Sequence, residues 1–378
     1  MPGLQNGPFW PVVSLASGER LRAPVAQVFN YGIASVERGS PPCYTMWAEH
    51  VDMALRIHGI SYNETSIFWI PRRSLNVWSP VSWNLNELPG PFVAVGNTPL
   101  VPVDVDGVRI WLKLEGSNPS GSVKDRAAAA MIKEKIKCGE LTPGRVLLDA
   151  SSGNMASALS SYGRALGPDA HVVCNSTITA DKRRMIEHFE ATLIQNDYGP
   201  YTHDGYLKCL DLVRQSDNSY CFLDQLHNPM NPYAHETGTG PEILKDLPSV
   251  RLIVGSLGSG GTMLGIGRAV RSAGHPAMVA AVSSAPGNRM AGVGAFADGD
   301  YRTPFMIEAE TNGLFTEAVL VTVASAQKWQ REITARGLFC GAQTGAVLGA
   351  AMDLAKRHGL RDGIVIVSGD AGWKSWSS

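Results

Sequence analysis

From Gly96 onward the sequence alternates short apolar runs with longer amphipathic stretches, and this alternation constrains the fold more than any other feature. Strand-like runs fall at 108–114, 145–150, 171–174, 192–195, 220–223, 252–254, 278–282 and 363–367. Helix-like stretches occupy 127–138, 156–166, 180–189, 206–216, 234–247, 262–273, 324–336 and 344–358. Repeated βα crossovers predict an α/β fold with a mostly parallel sheet, whose ligand loops gather at the carboxyl ends of the strands.

The stretch Lys113 to Arg126 (KLEGSNPSGSVKDR) puts a lysine where a tight loop meets a helix. Asn118-Pro119 and Ser120-Gly121-Ser122 are turn residues, Ser122 is placed to cap the helix, and Ala127 to Ile136 are mostly strong helix formers. Lys124 then falls in the first helical turn. There the unpaired backbone N–H groups and the positive dipole end favour a neutral amine over an ammonium. Beside a run of alanines it is a candidate Schiff-base nucleophile; the alternative is a solvated lysine at a helix start.

Val254 to Thr262 (VGSLGSGGT) reads as a strand, a glycine-rich loop and a helix start, which together offer backbone N–H groups to a phosphate. A nucleotide P-loop would need lysine where Gly261 stands. A dinucleotide loop would need a small residue at Met263 and an acidic residue some twenty positions on. What remains is a single phosphomonoester, bound by amides and by the hydroxyls of Ser259 and Thr262. The loop Ser151-Ser-Gly-Asn-Met155 likewise ends a strand and opens a helix, so its amides and hydroxyls can receive a carboxylate, or simply cap the helix.

Charge and cysteine content narrow the partners. The 378 residues carry a formal net charge of -1 with the basic residues scattered, so the electrostatic footprint of a nucleic-acid binder is missing. No run of about 18 apolar residues marks a membrane span, and the start MPGLQNGPFWPVV has no basic, then apolar, signal pattern. Six cysteines without a CxxC pair or metal-like cluster fit a reducing compartment. These features predict a soluble, cytoplasmic protein that acts on small molecules and binds no metal.

Residues 1–90 stand apart. They hold Trp10, Trp47, Trp69, Trp78 and Trp83, an amphipathic helix near Thr45 to Ile57 and a strand near Ser66 to Ile70. We read them as an N-terminal extension that covers the body or a dimer surface. A regulatory module is the alternative.

The motifs GNTPL (96–100), KLEGSNPSGSVKDR, SSGN (151–154), NPMN (228–231), TGPEI (239–243) and GSGGT (258–262) occur in one order. Together they resemble the cysteine synthase and cystathionine β-synthase family of pyridoxal 5'-phosphate (PLP) enzymes, over about Gly96 to Lys374. The tail from Asp370 (DAGWKSWSS) resembles the branch that uses O-phosphoserine. The resemblance implies a two-domain, tryptophan synthase β-like fold. Residues 91–117 and 228–378 would form a large PLP-binding domain, and 118–227 a small domain that closes on substrate.

By the same resemblance Lys124 would hold PLP, and Gly258, Ser259, Gly260, Gly261 and Thr262 its phosphate. Asn154 would meet the phenolic oxygen, and Gln343 or Thr344 the pyridine nitrogen. Ser151, Ser152, Gly153 and Gln225 would receive the substrate carboxylate. A neutral partner leaves the ring nitrogen largely unprotonated, which suits β-elimination better than transamination. The implied activity is β-replacement on O-acetyl- or O-phospho-L-serine through an α-aminoacrylate, giving cysteine or another β-substituted alanine, in a homodimer.

Two departures point to a specialised synthase, in secondary metabolism: Met155 replaces a hydroxyl expected near the substrate, and Arg289 in the loop 283–295 is placed to hold a phosphate leaving group or an acidic second substrate. Rival readings are a dehydratase or threonine synthase-like lyase, and a cofactor-bearing regulatory scaffold without turnover. Animal cystathionine β-synthases carry an N-terminal haem held by a cysteine and a histidine; Cys43 with His50 or His58 invites that comparison, but no matching motif surrounds them.

Overall fold

The computed structural model describes residues 83–175 and 178–375, together with two short strands, Val13–Ser14 and Arg20–Leu21, that pair antiparallel. The chain forms two compact units, Met1–Ser79 and Pro80–Ser378. The helix expected at 45–57, the strand at 66–70, and Cys43, His50 and His58 lie outside the described residues.

In the second unit α1 (Gly90–Ala94) leads into the hairpin β1 (Leu100–Val105) and β2 (Val108–Leu114). Next come α2 (Lys124–Lys137), β3 (Val146–Ala150), α3 (Asn154–Leu166), β4 (Ala170–Cys174) and α4 (Ala180–His188). They are followed by β5 (Thr192–Gln195), α5 (Thr202–Gln215), β6 (Tyr220–Phe222), α6 (Met230–Ala234) and α7 (Gly240–Asp246). The chain ends with β7 (Leu252–Ser256), α8 (Gly261–Ser272), β8 (Met278–Ser284), α9 (Pro304–Thr311), β9 (Glu317–Val321), α10 (Val323–Thr334), α11 (Ala342–His358) and β10 (Ile364–Ser368).

The strands build two sheets. One has the order β5-β4-β3-β6 and is parallel throughout. The other has the order β9-β8-β7-β10-β2-β1 and is parallel except for the β1–β2 hairpin. Strands covered on both faces must be apolar on both. In the six-stranded sheet Leu252, Val254, Ile364 and Ile366 pack with Leu348 and Leu354 of α11 on one side. Ile253, Val365 and Val367 pack with Met263 and Ile266 of α8 on the other. Each such side chain taken from water contributes about 1.5–3 kcal/mol.

Three expectations need correction. Ser122 does not cap α2: Val123 occupies the cap position without a side-chain bond, and the Ser122 hydroxyl accepts from the Lys124 N–H at 3.3 Å. The helix expected at 234–247 runs unbroken from Met230 to Asp246 but passes through a π turn at His235–Thr239. The helix expected from Tyr206 starts at Thr202.

Candidate active site

Lys124 is the first residue of α2, and Asp125 fixes how the loop before it approaches. The Asp125 carboxylate accepts from the Ser120 N–H and the Ser120 hydroxyl, both at 2.7 Å, and from the Ser122 N–H at 3.1 Å. Behind the loop, Arg126 donates to Glu115 and Glu242 at 2.7 Å, and Lys113 donates to Glu242 at 2.8 Å. This network is nearly dry, with Arg126 and Glu115 side chains 5% and 0% exposed. It anchors the end of β2, the start of α2 and α7 to one another.

So held, the Lys124 amine donates to the Ser259 hydroxyl at 3.4 Å, although the two residues lie 135 positions apart. Burial depresses its pKa to about 8, and the Asp149 carboxyl nearby partly opposes the shift. Desolvation is thus the largest cause of the lowered pKa, and it acts in the same direction as the helix terminus expected from sequence. Asp149 itself is pushed well above the usual carboxylate range, first by burial and then by Asp224.

The glycine loop is built to receive an anion. Gly260 takes a left-handed φ of 83° at the start of α8, and a Cβ there would come 2.8 Å from Met306. A Cβ on Gly258 or Gly153 would meet nothing within 4 Å, so both border open space. The first N–H groups of α8 have no partner within the helix. Thr303 donates to the Ser259 carbonyl at 2.6 Å, and Asn231 donates to the Ser259 hydroxyl at 3.0 Å. Asn231 Oδ1 is buried without a hydrogen-bond partner, and a Cβ on Gly261 would sit 2.3 Å from it. The Thr262 hydroxyl pairs with His235 Nε2 at 3.2 Å. Burial, with Arg126 and Lys124 nearby, holds His235 well below the usual histidine range and so neutral.

On the four-stranded sheet, Ser151 to Asn154 are half-buried at the end of β3. The Ser151 hydroxyl accepts from the Gly153 N–H at 3.1 Å and the Ser152 hydroxyl from the Asn175 N–H at 3.0 Å, which leaves both hydroxyl protons free to donate. Gln225 donates from Nε2 to the Ala150 carbonyl at 2.8 Å, beside the same loop.

Other expected site residues sit differently. Met155 is 1% exposed in the core with Leu147, Leu159 and Tyr162, so its thioether fills the interior instead of facing a substrate. Thr344 is fully buried and pairs with Ser368 at 2.9 Å. Gln343 donates to Ser256 at 2.5 Å and is wedged between Gly292 and Gly369, where a Cβ would come within 2.5 and 2.3 Å of its amide. Arg289 donates to Asp300 at 2.6 Å and lies over the Tyr201 ring at 5.3 Å, so its charge is already engaged. Sequence reasoning missed Asp149, Asn231, His235, Thr303 and Asp370. Local signals existed for three of them: the acid inside the apolar run VLLDA, Asn231 in NPMN and Asp370 at the head of the C-terminal tail motif.

A buried lysine amine with a lowered pKa, beside an anion cradle, suits covalent capture of a phosphorylated aldehyde, and the donor set fits that group. The fold and site thus define a pyridoxal-phosphate enzyme. A family described as pyridoxal-phosphate dependent enzymes matches residues 92–370. Cysteine synthase of Aquifex aeolicus (strain VF5) is 34% identical over 299 residues, which span 74% of this chain and 88% of that protein. Cysteine synthase B of Escherichia coli (strain K12) is 32% identical over 270 residues, 70% of this chain and 87% of that protein. Among solved structures, O-acetyl serine sulfhydrylase isoform 3 from Entamoeba histolytica matches with a TM-score of 0.69 at 27% identity, over 81% of this chain and 94% of that one. The chain belongs to the pyridoxal-phosphate dependent enzyme family, among the cysteine synthases. Among the described residues no helix is long and apolar enough to cross a membrane, and no group of three or more His, Cys, Asp or Glu could hold a metal ion.

Proposed function

We propose that this chain catalyses β-replacement on an O-activated L-serine, yielding cysteine or another β-substituted alanine. The observation that carries the reading is the Lys124 amine, its pKa lowered to about 8, beside Ser259 in the glycine loop. PLP, when bound, supplies the electron sink that acidifies the substrate Cα–H and lets the β-substituent leave. Lys124 holds the cofactor and then moves the Cα proton. Gly258 to Thr262 bind its phosphate and Asn154 its phenolic oxygen. Ser151, Ser152, Gly153 and Gln225 orient the substrate carboxylate, and Gln343 offers the ring a neutral neighbour. Arg289 would meet a phosphorylated donor only by leaving its pair with Asp300.

Residues 118–227 would act as the closing domain against 91–117 and 228–378, with the separate four- and six-stranded sheets in support. The buried free cysteines Cys174, Cys209, Cys221 and Cys340 support a cytoplasmic setting. A homodimer is what the resemblance implies.

The test offers purified enzyme O-acetyl-L-serine and O-phospho-L-serine, each with sulfide and with a panel of thiols and amines, and identifies the products. A β-substituted alanine formed with release of acetate or phosphate supports the reading. Pyruvate and ammonia in its place would move it to a lyase, and no product from either donor to a scaffold.

A further inference from the structure

Asn154 opens α3, and its amide Nδ2 donates to Asp370 Oδ2 at 3.1 Å across 216 positions of sequence. Asp370 is 7% exposed, and its second oxygen, Oδ1, is buried without a hydrogen-bond partner. That oxygen presses on the backbone of Gly341, where a Cβ would come within 2.1 Å. The main chain around it is held on two sides. Val123 N–H donates to Gly369 O at 2.8 Å and Ala371 N–H to Gly121 O at 3.1 Å, while Gly341 N–H donates to Asp370 O at 3.1 Å. Asp370 thus stands where the Lys124 loop, the Gln343 turn and Asn154 meet.

An asparagine amide can face either way about its last torsion, and the chemistry of its partners decides which end points where. An ionised carboxylate only accepts, so it turns Nδ2 toward itself. The groups facing Asp370 are Asn154 from α3, Lys182 from α4 and Lys374 from the C-terminal turn. Burial raises the Asp370 pKa, and all three oppose that rise. Lys374 donates to Ser120 O at 2.8 Å and is itself influenced by Asp125.

We infer that Asp370 is a positioning residue: it fixes the Asn154 amide so that the second N–H of Nδ2 is presented to the phenolic oxygen of bound cofactor. This rests on the cofactor roles proposed above for Lys124 and Asn154. Asp370→Asn would abolish the selection, because an amide partner accepts and donates equally well.

The experiment compares wild type, D370N, N154A and the double variant as holoenzymes. It reads the visible spectrum of bound cofactor across pH, and cofactor affinity by titrating apoprotein. D370N should shift the absorbance maximum and weaken cofactor binding by roughly three- to tenfold, the loss of about one hydrogen bond. In the N154A background the same substitution should add nothing. A D370N spectrum and affinity equal to wild type overturn the inference, as does an effect of full size in N154A. If D370N does not fold, D370S is read by the same criteria. Borohydride reduction separates the two readings. Wild type without fixed cofactor at Lys124 sinks the site and this inference together, whereas fixed cofactor with unmoved spectra sinks this inference alone.

Discussion

The Lys124 amine and the Ser259 hydroxyl stand 3.4 Å apart, joining the first residue of one helix to the loop that opens another 135 positions later. That closeness depends on residues that never touch a ligand. Asp125 folds the loop before Lys124, and Thr303 and Asn231 fix the two sides of Ser259. A covalent anchor and a phosphate cradle must face each other, and this packing brings them together.

The lowered pKa of Lys124 gives a pH signature. The amine is mostly charged below about 8 and mostly neutral above it. Only the neutral form attacks an aldehyde, so PLP capture by apoprotein should speed up about tenfold per pH unit below 8 and level off above it. An exposed lysine would keep rising to about 10.4. Stopped-flow absorbance from pH 6 to 10 checks this, and a rate still climbing at pH 10 would place the amine in water.

The sites that could be read from sequence are contiguous: SSGN and GSGGT each keep strand end, loop and helix start within a few residues, so period and turn chemistry reveal them. Asp370 could not be assigned a partner that way, because Asn154 lies 216 positions away. Met155 was expected near the substrate from the resemblance, which aligns motif positions but does not show that this side chain packs with Leu147, Leu159 and Tyr162. The strand β1 was hidden by Pro102 and Asp104, which an edge strand tolerates and a central one does not. The π turn at His235–Thr239 follows from packing on α8, where a Cβ on Gly265 would come 2.2 Å from the Pro232 carbonyl. No periodicity encodes that.

Arg126→Met removes the cation from a buried network. Glu115 would be left fully buried without a cation, keeping only hydrogen bonds from Thr98 and Asn118, while Glu242 would keep Lys113. Breaking such a pair costs about 3–5 kcal/mol. Urea denaturation should show that loss, and a change under 1 kcal/mol would mean the network is wetter than its geometry indicates.

Gln343→Glu keeps the shape of the side chain wedged between Gly292 and Gly369 but places a carboxylate where the ring nitrogen is proposed to lie. A carboxylate partner would favour the protonated ring and a stronger electron sink, and so transamination. The variant should lose β-replacement activity by roughly tenfold or more and gain slow conversion of cofactor to its amine form, followed by absorbance. Unchanged partitioning would place the ring nitrogen elsewhere.

Gly261→Ala tests how tightly the cradle is packed. The new methyl would lie 2.3 Å from Asn231 Oδ1, 2.5 Å from its Cγ and 2.7 Å from its Nδ2, so the whole amide must shift. That amide donates to the Gln225 carbonyl at 2.7 Å and to the Ser259 hydroxyl at 3.0 Å, which ties the phosphate loop to Gln225. Overpacking of this kind costs about 1–3 kcal/mol. Part of the cost should appear as weaker PLP binding, because Ser259 moves with the amide. Thermal denaturation of apoprotein and holoprotein separates the two: a Tm drop larger with PLP than without it is expected. Equal drops in both would show that Asn231 supports the fold without shaping the cradle.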